Sequence, residues 1–300
     1  MNKISAVVSV FNEEKKIEKC LRSLAFADEI IVIDNGSTDR TVELAKKFTD
    51  KIFSQENDLL KIDIQKNFGF EKATYNWILS IDADEEVSSK LAEEIKEKIE
   101  NSVNGYYIPR KNIIFGKWIR HSGWYPDFQL RLFRKGKGSF TKSHVHESLS
   151  LNGKADYLKN ELIHYNYDSV SQFFQKAINV YIPSEAKNYL DKGYIFSYAD
   201  VIRFPLKEFL SRFFLRKGYK DGFYGLVLAM LMAFYHFLVF VNIWELNKFK
   251  DLNEEQTQKL IKKEFSRSKK ELSFWFTKEK IDKSNNPLKK AIYKSLGKIL

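Results

Sequence analysis

The stretch that most constrains this chain is a run of strand character, Ile78-Leu79-Ser80-Ile81, that leads straight into Asp82-Ala83-Asp84-Glu85-Glu86. A strand covered on both faces reads as a continuous apolar run. In open α/β sheets the ligand sits beyond the carboxyl ends of such strands. Acids at that place suit a hard divalent cation, which takes carboxylate oxygens and shares substrate phosphates. They equally suit the first turn of a following helix, where negative charge is favourable, and Ser88 to Asn101 has helical character. At this level both readings stand.

The residues before this stretch repeat its logic. Ile4 to Val10 is an apolar strand ending in Phe11-Asn12-Glu13-Glu14, with Asn12 expected to cap a helix from Glu14 to Leu24. Glu29 to Asp34 is a second buried strand, expected beside the strand of 77–81, and it ends in the turn Asn35-Gly36-Ser37-Thr38-Asp39. A helix over Thr41 to Phe48 and a short strand at 51–53 follow. This β-α-β-α-β order predicts a parallel sheet with right-handed crossovers. Asp34 at a strand end suits ribose hydroxyls or a base, or serves only as a turn residue. Neither G-x-G-x-x-G nor G-x-x-x-x-G-K-[ST] occurs, which argues against a dinucleotide-binding or P-loop domain. Lys66, in Gln65-Lys66-Asn67-Phe68-Gly69, is an ordinary surface lysine unless a diphosphate lies nearby.

The single cysteine, Cys20, excludes an internal disulfide, and its helical spacing from Ile17, Leu21 and Leu24 predicts a buried thiol. No Cys/His cluster of zinc type is available. The net charge is +11, and Glu245 to Leu300 carries 15 Lys/Arg against 8 Asp/Glu. Such a tail suits an anionic surface. Met1-Asn2-Lys3 leads into the first strand without a signal peptide, so a cytoplasmic catalytic part is expected.

Three blocks together carry a resemblance: Val8-Ser9-Val10-Phe11-Asn12-Glu13-Glu14, Val32-Ile33-Asp34-Asn35-Gly36-Ser37-Thr38-Asp39 and Ile81-Asp82-Ala83-Asp84-Glu85. Their order and spacing resemble the family 2 glycosyltransferases. Further along, Gly105 to Arg110, Gly116 to His121, Gly123-Trp124-Tyr125-Pro126-Asp127, Gln129 to Arg134, Val145-His146-Glu147 and His164-Tyr165 are similar to the lipopolysaccharide core β-1,4-glucosyltransferase subgroup. The likeness covers about residues 4–245. Asp58 to Ile64 departs from it, and the tail beyond about 250 has no counterpart.

The resemblance implies a GT-A nucleotide-diphospho-sugar transferase fold, an α/β fold with a mixed, mainly parallel central sheet, here followed by a helical C-terminal region. It also implies a nucleotide-diphosphate sugar donor, Mg²⁺ or Mn²⁺, and inversion at the anomeric carbon. On that reading Asp84, with Asp82, holds the metal; Asn12, Glu13, Asp34, Lys66 and Asp82 meet the nucleotide sugar; and Asp127 is the base that deprotonates the acceptor. Trp124, Tyr125, Arg131, His146 and Glu147 are candidates for acceptor contact. Rival readings pair Asp127 with Arg131 at a strand edge and let Arg131 and Arg134 solvate a strand face. One of His144 and His146 is a further candidate metal ligand.

From Ser169 the chain changes character. Helices are expected over Ser169 to Leu190 and Tyr198 to Lys217, the second mixing Arg203, Lys207, Arg212, Arg216 and Lys217 with Phe204, Phe209, Phe213 and Phe214. That pattern fits an interfacial amphipathic helix or an ordinary packed one. Gly225 to Trp244 is 20 residues without a formal charge, long enough to span a bilayer. Its Tyr235, His236 and Asn242, and basic residues at both ends, favour a helix lying against the membrane or packed in a hairpin. The expected division is a glycosyltransferase domain at 1–168, a membrane-associating helical region at 169–245 and a basic helical tail at 246–300, the last as one or two surface helices.

The function expected is therefore hexose transfer to a surface glycolipid at the inner face of the cell membrane, as a peripheral protein on an anionic surface. The alternatives are the same chemistry on a protein side chain or an undecaprenyl-linked glycan, and a basic nucleic-acid-binding protein. The last ranks lowest, because Asp82, Asp84 and Glu85 repel phosphates unless a cation intervenes.

Overall fold

The computed structural model describes residues 2–58, 63–141 and 149–283. The chain divides into two units, Met1–Arg120 with Trp124–Lys176, and His121–Gly123 with Ala177–Leu300.

The first unit is built on one sheet. Strand β1 (Ile4–Val10) lies between β2 (Glu29–Asp34) and β4 (Trp77–Asp82), parallel to both, and β3 (Ile52–Ser54) lies outside β2. Asp34 is thus one strand removed from the end of β4, with β1 between them, and is not its direct neighbour as expected. Beyond β4 the sheet becomes mixed, through β8 (Asp127–Arg134), β6 (Gly105–Ile114), β12 (Leu162–Tyr167) and β5 (Glu85–Val87). β8 runs antiparallel to β4 and β6, while β12 is parallel to β6 and antiparallel to β5.

The alternation of side chains between two buried faces explains why β1 and β4 are mostly apolar. Ala6, Val8, Leu79 and Ile81 face one core with Ile17, Cys20 and Leu21 of α1 (Ile17–Ser23) and Leu91 and Ile95 of α4 (Ser89–Lys98). Val7, Ile31, Ile33 and Ile78 face the other, with Phe70 of α3 (Lys66–Lys72) and Phe133. Gly69 lets α3 approach closely: a methyl group there would meet Val7 Cγ1 at 2.5 Å and Ile33 Cγ1 at 2.7 Å. Cys20 is buried in the first of these cores.

Two local expectations change. Asn12 adopts a left-handed conformation (φ 53°) and its Oδ1 accepts from the Thr38 amide at 2.8 Å, so it does not cap α1, which starts only at Ile17. Glu85 to Val87, read from sequence as part of an acidic lead-in, form strand β5. The helix begins after them, where the Ser88 side chain accepts from the Leu91 amide at 3.2 Å.

The second unit is helical. A π-helical turn at Ala177–Tyr181 enters α6 (Ile182–Asp191), and α7 (Asp200–Leu210) ends in a second such turn, Ser211–Leu215. α8 (Phe223–Leu246) packs on α6 and α7 through Leu228, Ala229, Val239, Phe240 and Ile243. The tail contains one long helix, α9 (Glu254–Lys283), docked on the α7 end by a bidentate Arg203–Glu264 pair and by Trp275 stacked on Phe214 at 5.9 Å.

Candidate active site

The ends of β1 and β2 form a polar rim. Asp34 is buried and its Oδ1 accepts from the Ser37 amide at 3.1 Å. The Asn12 amide donates to Ser37 Oγ at 3.0 Å and the Glu13 amide to Thr41 Oγ1 at 2.8 Å. These bonds fix the two loops against each other, so that Asn12, Glu13 and Asp34 share one edge of the sheet. Burial, reinforced by the negative charge of Asp84 and only partly offset by Lys16 and Lys176, pushes the Glu13 carboxyl up to about 7.

The two aspartates at the end of β4 meet different surroundings. Asp82 Oδ1 is 2.7 Å from Lys66 Nζ, and its Oδ2 accepts from Arg131 Nη2 at 2.5 Å. Burial raises the Asp82 carboxyl, but these two cations outweigh it and hold it well below the ordinary range. Arg131 also donates to the fully buried Glu85 at 2.9 Å, and Glu85 Oε2 accepts from the Asp82 amide at 3.0 Å. An unpaired charge at such depth is costly, and Lys66, Asp82, Glu85 and Arg131 are paired with one another in one knot, in which, among the described residues, only Nη2 of Arg131 is bonded and its buried Nε has no hydrogen-bond partner. Both oxygens of Asp82 are engaged within it.

Asp84 points elsewhere. Its Oδ1 lies 3.6 Å from His164 Nε2 and its Oδ2 3.8 Å from Lys176 Nζ, all beyond hydrogen-bond distance. Burial pushes this carboxyl up, and the neighbouring His164 and Lys176 reverse that, leaving it at about 2. On the side of α1, Asp84 borders a cleft of about 280 Å³ lined also by Lys15, Lys16, Lys19, Tyr165 and Asp168. Among the described residues no three His, Cys, Asp or Glu side chains converge as a complete metal cage. Asp84 and His164 nonetheless supply an oxygen and a nitrogen donor that would hold a divalent cation, which would supply positive charge beside a substrate phosphate.

Asp127 begins β8 and faces Arg110 across the β6 ladder. Arg110 Nε donates to Asp127 Oδ2 at 2.8 Å, Gln129 Nε2 to Oδ1 at 2.7 Å, and Asn112 Nδ2 lies 3.4 Å from Oδ2. Burial raises this carboxyl, and Arg110 with the Gln129 and Asn112 amides brings it below its ordinary value.

Against known proteins, residues 5–178, more than half of the chain, match the family model "Glycosyl transferase family 2". The chain belongs to glycosyltransferase family 2. An uncharacterized glycosyltransferase of Rickettsia typhi is 32% identical over 261 residues, covering 82% of this chain and 88% of the relative. The lipopolysaccharide core biosynthesis glycosyltransferase LpsC of Rhizobium meliloti is 28% identical over 254 residues, covering 82% and 94%. Among solved structures, S. aureus TarS 1-349 in complex with UDP is similar over 84% of this chain and 94% of its own, with 16% identity and a TM-score of 0.44.

The fold of this glycosyltransferase is the GT-A type, with its mixed sheet and helical C-terminal region. Of the candidates named from sequence, Asn12, Glu13 and Asp34 gather at one edge, and Lys66, Asp82 and Arg131 at the centre. The partner of Asp127 is Arg110, not Arg131, and Arg131 is an interior residue of the central knot. Arg134 donates to the carbonyls of Asn101 and Val103 and lies over the Trp77 ring. The Tyr125 ring stands edge-on to Trp118 at 5.4 Å with its hydroxyl on Glu161, and the Trp124 carbonyl accepts from Asn112. His144, His146 and Glu147 lie outside the described residues. Arg110, Asn112 and the orientation of His164 toward Asp84 were missed. Their signal was the polar run Arg110-Lys111-Asn112 inside a strand otherwise fit for burial, with positions 110 and 112 on one face.

Proposed function

We propose that this glycosyltransferase moves a hexose, with inversion, from a nucleotide-diphosphate sugar to a lipopolysaccharide-core-like glycolipid at the cytoplasmic face of the membrane. The observation that carries the proposal is the placement of Asp84 and His164 face to face, with the half-buried carboxylate of Asp127 held one strand away. The name of the LpsC relative supports the acceptor class.

Asp84 and His164 would hold a divalent cation, Mg²⁺ or Mn²⁺. When bound, it supplies Lewis-acid stabilisation of the charge that develops on the leaving diphosphate. Asn12, Glu13 and Asp34 line the edge where base and ribose bind. Lys66 and Arg131, fixed by Asp82 and Glu85, form with them a charge-balanced array beside that edge that does not have to reorganise during the reaction.

In the transfer step the acceptor oxygen bonds to the anomeric carbon as the carbon–oxygen bond to the diphosphate breaks. The hydroxyl proton passes to Asp127, and the nucleoside diphosphate leaves. Arg110 keeps Asp127 anionic and aimed, and by lowering its pKa also makes it a weaker base. Proton transfer is then late, when the acceptor oxygen has become acidic by bonding to carbon. The exposed Phe223, Met230 and Phe234 of α8 suit contact with that membrane.

The test is transfer from UDP-hexoses to extracted glycolipid, with Asp127→Asn alongside. Transfer should stop in EDTA and return with Mn²⁺, an α-linked donor should give a β-linked product by NMR, and Asp127→Asn should lose roughly 10²- to 10⁴-fold in kcat. Retention of configuration, or full activity in EDTA, would overturn the mechanism. Transfer confined to a peptide or undecaprenyl-linked acceptor would move the acceptor class.

A further inference from the structure

One side chain touches both halves of this chemistry. Asn112 is fully buried on β6. Across the sheet it is paired with His164 of β12, which is paired in turn with Glu85 of β5, while Arg110, two residues earlier on the same face, is paired with Asp127. The amide uses both of its ends. Nδ2 donates to the Trp124 carbonyl at 2.7 Å and lies 3.4 Å from Asp127 Oδ2. Oδ1 stands 2.7 Å from His164 Nδ1 and 3.4 Å from the Asn166 amide nitrogen.

The orientation of this amide is not interchangeable. Turning it over would set a carbonyl oxygen against the Trp124 carbonyl and the Asp127 carboxylate, losing the donation to Trp124 and opposing lone pairs at a buried site. Oδ1 therefore faces His164, and a ring nitrogen beside a carbonyl oxygen must carry the proton. Whenever the imidazole is neutral its proton is then on Nδ1, which leaves Nε2, on the Asp84 side, as the atom that would ligate a cation.

We propose that Asn112 is a positioning residue that couples the two ends of the site. It sets the His164 tautomer so that Nε2 and Asp84 form a two-donor cation site, and it fixes the Trp124-to-Asp127 segment that presents the base. This rests on the cation reading of Asp84 and His164 given above. Partners that orient a metal-bound histidine typically contribute about 10–100-fold to metal affinity. Asn112 differs from an ordinary partner of this kind because its other end holds the base segment.

The experiment separates the two ends. Mn²⁺ alone is titrated by electron paramagnetic resonance into the full-length wild type, Asp84→Ala, Asn112→Ala and Asn112→Asp, with melting temperatures measured in parallel. Asn112→Ala should weaken Mn²⁺ binding about 10–100-fold. Asn112→Asp still accepts from Nδ1–H, so it should keep Mn²⁺ affinity within about threefold of wild type. It has lost the donor to Trp124 and Asp127, so its transfer should fall nearly as far as that of Asp127→Asn. Wild-type affinity in Asn112→Ala, with Asp84→Ala unable to bind, would overturn this inference and leave the cation reading intact. Absence of Mn²⁺ binding by the wild type would overturn both. If the Asn112 variants do not fold, ¹⁵N spectra of histidine-labelled wild type above the imidazole pKa decide the matter, with His164 assigned by loss of its signal in His164→Gln. Protonated Nδ1 supports the inference, and protonated Nε2 ends it.

Discussion

The two units treat charge in opposite ways. In the first, charges are drawn inward to the strand ends: Lys66, Asp82, Glu85 and Arg131 are joined at the end of β4, with Arg110 and Asp127 beside them. In the second, ion pairs such as Arg203–Glu264 and Glu208–Arg212 link or brace helices, and large apolar residues stand outside. Burying and pairing charge is costly unless every partner is in place, and fixed dipoles of this kind suit a reaction in which charge moves. Apolar surface left in water is costly in another way and suits a partner that removes the water. The difference supports the proposal that the first unit carries the chemistry and the second the attachment.

The sharpest way to break that assignment lies within three residues. Asp84→Ala removes the carboxylate that faces His164 and leaves the knot whole. Activity should fall by roughly 10³-fold or more, with a loss of stability smaller than that of Asp82→Ala. Asp82→Ala strands Lys66 and Arg131 without their shared acceptor, so both activity and stability should drop, the latter by about 3–5 kcal/mol. Kinetics and thermal melts of the two variants check this. Equal loss of stability in both would erase the distinction between a working carboxylate and a structural one.

A smaller effect is expected at the rim. Asp34→Ala should raise the donor KM about tenfold and leave kcat within a factor of two, as for loss of uniform binding. Initial rates over a range of donor concentration decide it. An unchanged KM would remove Asp34 from the nucleotide edge.

What was legible in the sequence follows this division. Ile4–Val10, Glu29–Asp34 and Trp77–Asp82 were readable because strands covered on both faces must be apolar along their whole length, and their polar ends stood out. β5 was not, because Glu85 looks solvated until Arg131, 46 residues later, is brought to it. Arg110, Asn112 and His164 were hidden for the same reason: their roles are pairings between strands, and register is not written in any one segment. In the helical half, α8 was legible by length and composition, whereas the docking of α9 through Glu264 needed a partner 61 residues away.

Glu29 tests whether buried charge in the first unit also holds the fold where no chemistry is expected. Its side chain is 2% exposed and accepts from Ser5 Oγ, from the amide and hydroxyl of Thr74 and from Lys51. Burial raises its pKa, and these donors reverse the effect and hold it at about 2, against an ordinary 4.5. A carboxyl depressed on folding contributes stability that is complete above the unfolded value and fades as pH falls toward the folded one. Denaturant melts should thus show stability falling between about pH 4.5 and pH 2. Glu29→Gln should cost roughly 2–3 kcal/mol at pH 7 and flatten this part of the acid limb. A variant as stable as wild type at pH 7 would show that the donors do equally well without the charge.

The weakest and most discriminating effect concerns α8. Its most apolar 18-residue window has a mean hydropathy of 2.2, yet only 39% of that window is buried inside the protein. Phe223, Met230 and Phe234, spaced seven and four apart, form an outward stripe and are 77%, 57% and 46% exposed. Exposed Arg216, Lys217 and Lys220 stand just before the helix. Leu228, on the inward side, is 1% exposed. If the stripe meets a bilayer, the two sides of the helix must answer differently to substitution. Phe234→Ser should leave the melting temperature unchanged and weaken flotation with anionic vesicles about 5–10-fold, since burying a Phe contributes roughly 1.5–3 kcal/mol and a flat interface captures only part of it. Replacing Lys217 and Lys220 with Gln should weaken binding to anionic but not to neutral vesicles, at about 1 kcal/mol for each charge. Leu228→Ala should do the reverse, lowering stability by about 2–5 kcal/mol while the folded fraction still floats. Loss of stability in Phe234→Ser without loss of flotation would make the outward stripe part of the protein's own core, and the contrast between the units would then rest on chemistry alone.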